Sequence, residues 1–210
     1  MKKLVAYYSR ADENYFGGTK KYIEVGNTEK AAKMIADMIG ADLYKIKQIH
    51  PYSADYDTCV KEAKDDLRKN VRPELKNMLE SIDEYDEIYL GYPNYWGTMP
   101  MAVYTFLESF DWNSKKIYPF CTHEGSGLSS TESDIREYAE VMKGLAITGS
   151  DVDTSQSRIK EWLLKKVEQQ FYFFMYFLPE ASGIFNSERY FATVLLDISI
   201  PLSFKRLVIF

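Results

Sequence analysis

The feature that most constrains the fold of this 210-residue chain is the alternation of short apolar segments with longer segments of helical period. Residues 3–8 form a mostly apolar run of the kind that is buried in a parallel sheet. Residues 28–39 then place their apolar side chains on one face of a helix, with Asn27 or Thr28 as the expected N-cap and Gly40 at its end. This change of period predicts a strand followed by a helix.

The same alternation continues to about residue 166. Further strands are predicted at 42–49, 86–92, 116–121 and 144–148, and further helices at 55–70, 73–82, 101–110, 129–142 and 155–166. Strands that alternate with helices imply right-handed crossovers and a parallel sheet covered on both faces. Ligands of such sheets bind outside the carboxyl ends of the strands, where the strand order reverses. We therefore expect the loops after the first, third and fourth strands to form the binding site.

Composition excludes several classes of protein. With 46% hydrophobic and 27% charged residues, the chain is globular rather than disordered. Its net charge of −5 gives a nucleic-acid partner no electrostatic support. The longest apolar run, residues 171–178, is far shorter than the roughly 20 residues of a membrane span. Cys59 and Cys121 have no metal-ligand or redox spacing, so we expect no metal site and a cytoplasmic location.

The composition changes near residue 167. Eight of the 12 Phe residues, but only seven charged residues, lie in the last 44 positions. We therefore expect one domain over residues 1–166 and a hydrophobic, aromatic-rich C-terminal extension over 167–210. Three interpretations of the extension stay open: a segment that packs on the sheet or a dimer face, a membrane-surface or partner-binding segment, and a stretch not shaped by selection to fold, such as a shifted reading frame.

The first predicted loop ends in Gly26-Asn27-Thr28 at the start of a helix. Ser9, Asn27 and Thr28 supply short polar side chains, and Gly26 lets the backbone approach a ligand closely. The unpaired N–H groups at a helix N-terminus bind phosphate oxygens. An ordinary turn and helix cap is the alternative interpretation.

The second predicted loop, residues 91–100, sets Tyr95 and Trp96 between proline and glycine. A planar heteroaromatic ring can stack on such side chains. The alternative is that both side chains fold back into the local core.

The third predicted loop covers residues 121–127. Its glycines, Gly125 and Gly127, free the backbone to present N–H and C=O groups to the edge of a ligand, and Thr122 and Ser126 add hydroxyl groups. His123 is followed directly by Glu124, and neighbouring residues rarely face the same atom. We therefore predict no catalytic residue here.

Together these segments resemble the flavodoxin family, in particular its longer bacterial flavodoxin-like members. The resemblance is carried by Tyr8-Ser9-Arg10 with Gly26-Asn27-Thr28, by residues 91–100 and 119–127, and by Gly144 to Ile147 with Trp162-Leu163. It covers residues 1–166. It implies an α/β, flavodoxin-like three-layer sandwich with a five-stranded parallel sheet in the order 2-1-3-4-5, which binds FMN noncovalently, followed by an atypical C-terminal tail.

The resemblance also implies a set of cofactor-binding residues. Ser9, Arg10, Asn27 and Thr28 would hold the FMN phosphate, with Gly26 beside them. Pro93, Asn94, Tyr95, Trp96, Gly97 and Thr98 would flank the flavin ring, and Thr122, Ser126 and Gly127 would touch its other edge. Residues 11–25 depart from the compact family loop, because they separate Ser9-Arg10 from Gly26. This insertion is either a lid over the flavin or a surface excursion.

Two functions follow from the resemblance. The favoured one is an electron carrier that docks on redox partner proteins. The other is an NAD(P)H-dependent FMN oxidoreductase that acts on quinones or similar small acceptors, for which residues 11–25 would shape a substrate pocket. The sequence does not fix the oligomeric state.

Overall fold

The computed structural model describes residues 2–165, so the predicted extension over 167–210 lies outside the described residues. The strands are β1 (Lys2–Tyr8), β2 (Asp12–Phe16), β3 (Thr19–Ile23), β4 (Asp42–Ile46), β5 (Tyr85–Pro93), β6 (Lys116–His123), β7 (Glu140–Val141) and β8 (Leu145–Thr148). The helices are α1 (Asn27–Ile39), α2 (Tyr56–Lys69), α3 (Met101–Glu108), α4 (Thr131–Arg136) and α5 (156–165), with a 3-10 helix over Gly149–Thr154. No helix of residues 2–165 is both long and apolar enough to cross a membrane.

The main sheet is parallel, with its strands in the order β4-β1-β5-β6. Strands β7 and β8 both pair with β6. The predicted order 2-1-3-4-5 is confirmed, since it corresponds to β4-β1-β5-β6-β8. The one difference is that the last edge strand is divided into two pieces, β7 and β8, which pair with the two ends of β6. The strand order reverses between β1 and β5, which puts a crevice at their carboxyl ends.

Both faces of this sheet are buried. Leu4, Ala6 and Tyr8 of β1 point into the core cluster that contains α3, whereas Val5 and Tyr7 point into the cluster that contains α1. This alternation follows from the pleat of the strand, and burial on both faces explains the near-continuous apolar sequence of β1. Helices α1 and α5 cover one face, and α3 and α4 cover the other.

The predicted helix over 73–82 is wrong. Asn70, with a left-handed φ of 52°, ends α2, and residues 71–84 contain no helix. The chain pairs instead with the residues after β4: the amide of Ile49 donates to the carbonyl of Glu74 (2.8 Å), and that of Lys76 donates to the carbonyl of Lys47 (2.7 Å). This pairing satisfies the backbone groups that a helix would otherwise satisfy.

The predicted helix over 129–142 is too long, because α4 covers only Thr131–Arg136. The chain beyond it joins the edge of the sheet, where the amide of Met142 donates to the carbonyl of Ile117 (2.9 Å). The other helices differ from the prediction only near their ends. Asp55 caps α2 by accepting a hydrogen bond from the amide of Thr58 (2.8 Å).

Residues 11–25 form a β-hairpin, which no part of the sequence reasoning identified as one. Strands β2 and β3 pair antiparallel around Gly17 and Gly18, whose φ values of 61° and 83° suit a two-residue turn with the twist of a hairpin. The hairpin begins shortly after the end of β1 and is followed by α1.

Candidate functional site

A cavity of about 320 Å³ opens at the carboxyl ends of β1, β5 and β6, where the strand order reverses. Its volume lies in the range of roughly 300–1,000 Å³ that is typical of small-molecule sites. Of the fourteen predicted site residues, nine line it: Ser9, Arg10, Asn27, Thr28, Pro93, Asn94, Tyr95, Trp96 and Thr122. The other five, Gly26, Gly97, Thr98, Ser126 and Gly127, do not line it. All three predicted loops therefore meet at one place.

The α1 side of the cavity is built from backbone and short side chains. The predicted cap by Asn27 or Thr28 is wrong: Gly26 is the N-cap residue and has no side chain to offer. Ser9, which follows β1 directly, acts as the cap instead, because its Oγ accepts a hydrogen bond from the amide of Glu29 (3.1 Å). Its O–H is left to donate into the cavity, beside the first amides of α1, which have no partner inside the helix.

Gly26 makes this arrangement possible. A Cβ atom at position 26 would lie 2.3 Å from the carbonyl oxygen of Arg10 and 2.3 Å from the Oγ of Ser9. The residues that flank the insertion on its two sides, Arg10 and Gly26, therefore lie next to each other. The approach of residue 26 to residues 9 and 10 requires glycine.

Thr28 and Thr122 join α1 to the third loop. Their hydroxyl oxygens lie 2.7 Å apart, and both residues are buried. Beside them, the carboxylate of Glu124 accepts hydrogen bonds from the amides of Gly17 (3.2 Å) and Ser150 (3.2 Å). The loop after β6 therefore links the start of α1, the hairpin turn and the 3-10 helix.

Tyr95 and Trp96 behave differently from each other. Tyr95 packs partly against the core, with its ring centroid 6.5 Å from those of Tyr8 and Tyr52. Trp96 is 49% exposed, donates from Nε1 to the carbonyl of Val60 (3.2 Å) and has the Nζ of Lys64 4.7 Å from its ring centroid. The expectation of an exposed aromatic face thus holds for Trp96, and the alternative of folding into the core describes much of Tyr95.

The turn that carries Trp96 has a left-handed backbone. The amide of Tyr95 donates to the carbonyl of Thr98 (2.8 Å), and φ is 57° at Trp96 and 86° at Gly97. A bulky residue rarely adopts such a φ, so the surrounding contacts must hold it there. Asn94 supplies one of them: its Oδ1 accepts from the amide of Gly97 (3.0 Å), while its Nδ2 donates to the carbonyl of Gly127 (3.0 Å).

Several residues that do not line the cavity hold the same turn in place. The hydroxyl of Ser130 donates to the carbonyl of Gly97 (2.9 Å). The buried hydroxyl of Thr98 donates to a carboxylate oxygen of Asp134 (2.5 Å) and contacts the hydroxyl of Tyr104 (2.6 Å). Gly97 and Thr98 therefore help to hold the loop that carries Trp96.

The other nine residues that line the cavity are ones that sequence reasoning missed. They come from the hairpin, from α2, from the loop after β6 and from the turn after β8: Asn14, Tyr15, Tyr56, Cys59, Val60, Ala63, His123, Glu124 and Gly149. Tyr15 and Tyr56 form a pair across the gap between hairpin and helix, with ring centroids 6.1 Å apart. The aromatic content of the insertion was the one sequence signal that could have pointed to the hairpin residues among them.

Burial shifts the pKa of three cavity side chains, those of Tyr95, Cys59 and His123, in the direction that favours the uncharged form. It raises the pKa of the Tyr95 hydroxyl well above its ordinary value and also raises the pKa of the Cys59 thiol. A thiol is a poor nucleophile compared with a thiolate. Burial likewise lowers the pKa of His123, whose Nδ1 accepts a hydrogen bond from the amide of Gly125 (2.9 Å).

Comparison with known proteins was made for the sequence and for the fold. The family model described as Flavodoxin matches residues 2–166. A candidate flavoprotein from Bacteroides uniformis ATCC 8492 is 29% identical, with a TM-score of 0.61 and coverage of 77% of this chain and 97% of that chain. A flavoprotein from Lactobacillus acidophilus NCFM, solved in complex with FMN, is 25% identical, with a TM-score of 0.53 and coverage of 73% and 97%.

One curated relative also matches. It is an uncharacterized protein of Methanocaldococcus jannaschii, 28% identical over 102 residues, and the match spans about half of each chain, 49%.

Proposed function

This chain belongs to the flavodoxin family, and on that premise we propose that it binds FMN in the cavity and carries electrons between redox partners. The observation that carries the proposal is the meeting of three loops at the reversal of strand order, with hydrogen-bond donors at one end of the cavity and aromatic side chains at the other. The FMN complex of the Lactobacillus acidophilus flavoprotein supports the choice of cofactor.

The donors at the α1 end fit a phosphate group. The Oγ of Ser9 accepts from the amide of Glu29, so its O–H can donate to a ligand together with the amides of Asn27 and Thr28, which have no partner inside the helix, and the helix dipole adds positive potential at that end. The hydroxyl oxygens of Thr28 and Thr122 lie 2.7 Å apart, and this contact holds Thr28 in place. A phosphate bound by these donors would lie against the Thr28 hydroxyl on its inner side.

The aromatic end fits a planar ring. Trp96 lies at the mouth of the cavity, and its contacts with Val60 and Lys64 fix the plane of the indole. Tyr95 lies deeper, with its hydroxyl buried. A ring that contacts these side chains would have one edge close to the protein surface, as electron exchange with a docked protein requires.

FMN supplies the redox chemistry when it is bound, because its ring accepts and releases electrons. The chain contributes binding, orientation and exclusion of water. Trp96 and Tyr95 replace water on the ring face, and the net charge of −5 disfavours added negative charge in the site. Both effects tune how readily electrons are taken up.

The first test is the absorbance spectrum of the purified protein, followed by titration of the ligand-free protein with FMN and with riboflavin. We expect the visible bands of bound flavin and tighter binding of FMN than of riboflavin. Absence of flavin from the purified protein, together with no binding on titration, would contradict the proposal.

A second candidate function, an NAD(P)H-dependent FMN oxidoreductase, is favoured by one observation: the hairpin forms a wall of the cavity through Asn14 and Tyr15. Such a wall would shape a pocket for a small acceptor such as a quinone. An electron carrier would instead benefit from a flavin edge that is open to a docked partner protein.

Two measurements separate these functions. Anaerobic reduction in small steps shows whether electrons enter one at a time, as expected for a carrier. Assay of NADPH oxidation with a quinone shows whether the protein turns over, as expected for an oxidoreductase. Rapid turnover with uptake of electrons only in pairs would replace the carrier proposal by the second function.

A further inference from the structure

The geometry points to a role for Arg10 other than the phosphate contact that the family resemblance implies: it is a positioning residue that clamps the hairpin and so builds the outer wall of the cavity. This inference rests on the proposed function only where it concerns FMN. The clamp itself is a property of the ligand-free chain.

The guanidinium of Arg10 is occupied by backbone carbonyl groups. Nε and Nη2 both donate to the carbonyl of Ser53 (3.1 and 2.7 Å), and Nη2 also donates to that of Ala54 (2.8 Å). Nη1 donates to the carbonyl of Glu13 (2.5 Å). Four of the five N–H donors of the side chain are thus used, which leaves one for any ligand.

These carbonyls belong to two segments that are far apart in sequence. Glu13 lies in β2, whereas Ser53 and Ala54 lie in the loop that leads into α2. The guanidinium is planar and rigid, so it fixes both segments relative to the end of β1 at once. A lysine at this position would keep the positive charge but could not reproduce the fork of donors.

Further contacts continue the same seam between hairpin and α2. The amide of Glu13 donates to the carbonyl of Ala54 (3.2 Å), and the carboxylate of Glu13 accepts from the amide of Tyr56 (3.0 Å). At the exposed end, Lys20 pairs with Asp57 (2.6 Å). Arg10 is the part of this seam that also touches the phosphate end of the cavity, because it follows Ser9 directly.

The seam holds the part of the hairpin that carries Asn14 and Tyr15. Both line the cavity, and Tyr15 faces Tyr56 of α2 across it. Loss of the clamp would weaken the seam and loosen this wall, while the donors of Ser9 and α1 would stay in place. A phosphate ligand and a clamp therefore predict different consequences of the same substitution.

The experiment compares Arg10→Gln and Arg10→Lys with the wild type and with Glu24→Gln, a control at an exposed residue after β3 that belongs neither to the cavity lining nor to the seam. Trypsin cleavage after Lys20 and Lys21 is measured in the ligand-free proteins, and dissociation constants are measured for FMN and for riboflavin. Lys20 and Lys21 are exposed, so cleavage after them reports how often the hairpin opens.

For both Arg10 variants we expect hairpin cleavage to accelerate about tenfold. We expect the dissociation constants of FMN and riboflavin to rise by the same factor, about tenfold, so that their ratio is unchanged. Arg10→Lys should not restore binding, because the fork and not the charge is needed. If Arg10→Gln does not fold, Arg10→Lys carries the same comparison.

The inference is overturned if cleavage is unchanged in the Arg10 variants, or if FMN affinity falls while riboflavin affinity does not and Arg10→Lys binds FMN like the wild type. The second result would make Arg10 a phosphate ligand. If the wild type binds neither flavin, the proposed function fails, and the cleavage rates alone decide whether Arg10 clamps the hairpin.

Discussion

The two sides of the cavity differ in what they are made of. The α1 side consists of backbone amides and short side chains that contact one another directly, as in the hydrogen bond between Ser9 and Glu29. The α2 side consists of larger side chains from the hairpin, α2 and the second loop, among them Tyr15, Tyr56 and Trp96. The α1 side presents groups whose positions are set directly by the backbone, whereas the α2 side presents large side chains that can adjust even though the backbone that carries them is held by the seam.

This difference has a physical cause. A backbone amide is fixed by the helix that contains it, so the α1 side is in place once α1 and β1 pack together. A stacking surface requires only that a large flat side chain be near, and its energy changes slowly with position. Substitutions on the α1 side should therefore cost more than substitutions on the α2 side, and four experiments test this ordering.

The largest effect is expected for Gly26→Ala. The new Cβ would lie 2.3 Å from the carbonyl oxygen of Arg10, which is a backbone atom and not the end of a flexible side chain. We expect FMN affinity to fall roughly 100-fold, measured by titration of the ligand-free protein. Gly40→Asn at the other end of α1 is the control, since a Cβ there meets nothing within 4 Å and asparagine tolerates a φ of 61°. Equal effects of the two substitutions would contradict the special role of Gly26.

The next effect concerns the pair of hydroxyl groups on the same side. Thr28→Val leaves the buried hydroxyl of Thr122 without its partner, so we expect the free energy of unfolding to fall by about 1–3 kcal/mol in urea titrations. Thr28→Ser should retain most of the stability. The double substitution with Thr122→Val should cost less than the sum of the single ones, because no hydroxyl is then left unpaired. Strict additivity would show that the two groups do not interact.

A smaller effect is expected on the α2 side for Trp96→Ala. Loss of the indole removes one stacking surface, so FMN and riboflavin affinities should both fall about three- to tenfold. The redox potentials of bound FMN should shift as well. Tyr22→Ala is the control, because Tyr22 is 71% exposed and does not line the cavity. Unchanged affinity and potentials in Trp96→Ala would remove Trp96 from the site, and a loss as large as that of Gly26→Ala would reverse the ordering of the two sides.

The smallest effect is expected from the titration of His123. Burial lowers the pKa of His123 below its ordinary value of 6.5, so the unfolded chain takes up the proton first as the pH falls. Stability should therefore decrease slightly as the pH falls through 6.5, and this decrease should stop once the folded protein is protonated too. His123→Asn keeps an acceptor for the amide of Gly125 without titrating near that pH. The urea midpoint should change less with pH in the variant than in the wild type. Identical profiles of midpoint against pH would contradict the lowered pKa.

Much of the fold could be predicted from the sequence, because the periodicity of buried residues is local information. The run at residues 3–8 reports a strand buried on both faces, and Gly40 reports the end of α1. The helix predicted over 73–82 failed for the opposite reason. Its residues have helical character, but their backbone groups find partners in residues 47–49, which are distant in sequence.

The site divides in the same way. Ser9, Asn27 and Thr28 could be named from the sequence, since they stand next to a strand end or a helix start whose backbone sets their position. Tyr56 and Cys59 could not, because they reach the cavity only through the packing of α2 against the hairpin. Arg10 was named for a phosphate contact, and its hydrogen bonds to carbonyls of Glu13, Ser53 and Ala54 became visible only in the structure.

The resemblance to the flavodoxin family supplied the sheet order, whereas the residues themselves determined the alternation of strands and helices, the three loops at the carboxyl edge of the sheet and the residue types at the α1 end. These depend on hydrophobic period and on local backbone geometry, which neighbouring residues encode. Only the tertiary structure decided how residues 11–25 fold, which of Tyr95 and Trp96 stays exposed, and what Arg10 holds. Those outcomes depend on contacts between segments tens of residues apart, which form only when the elements pack.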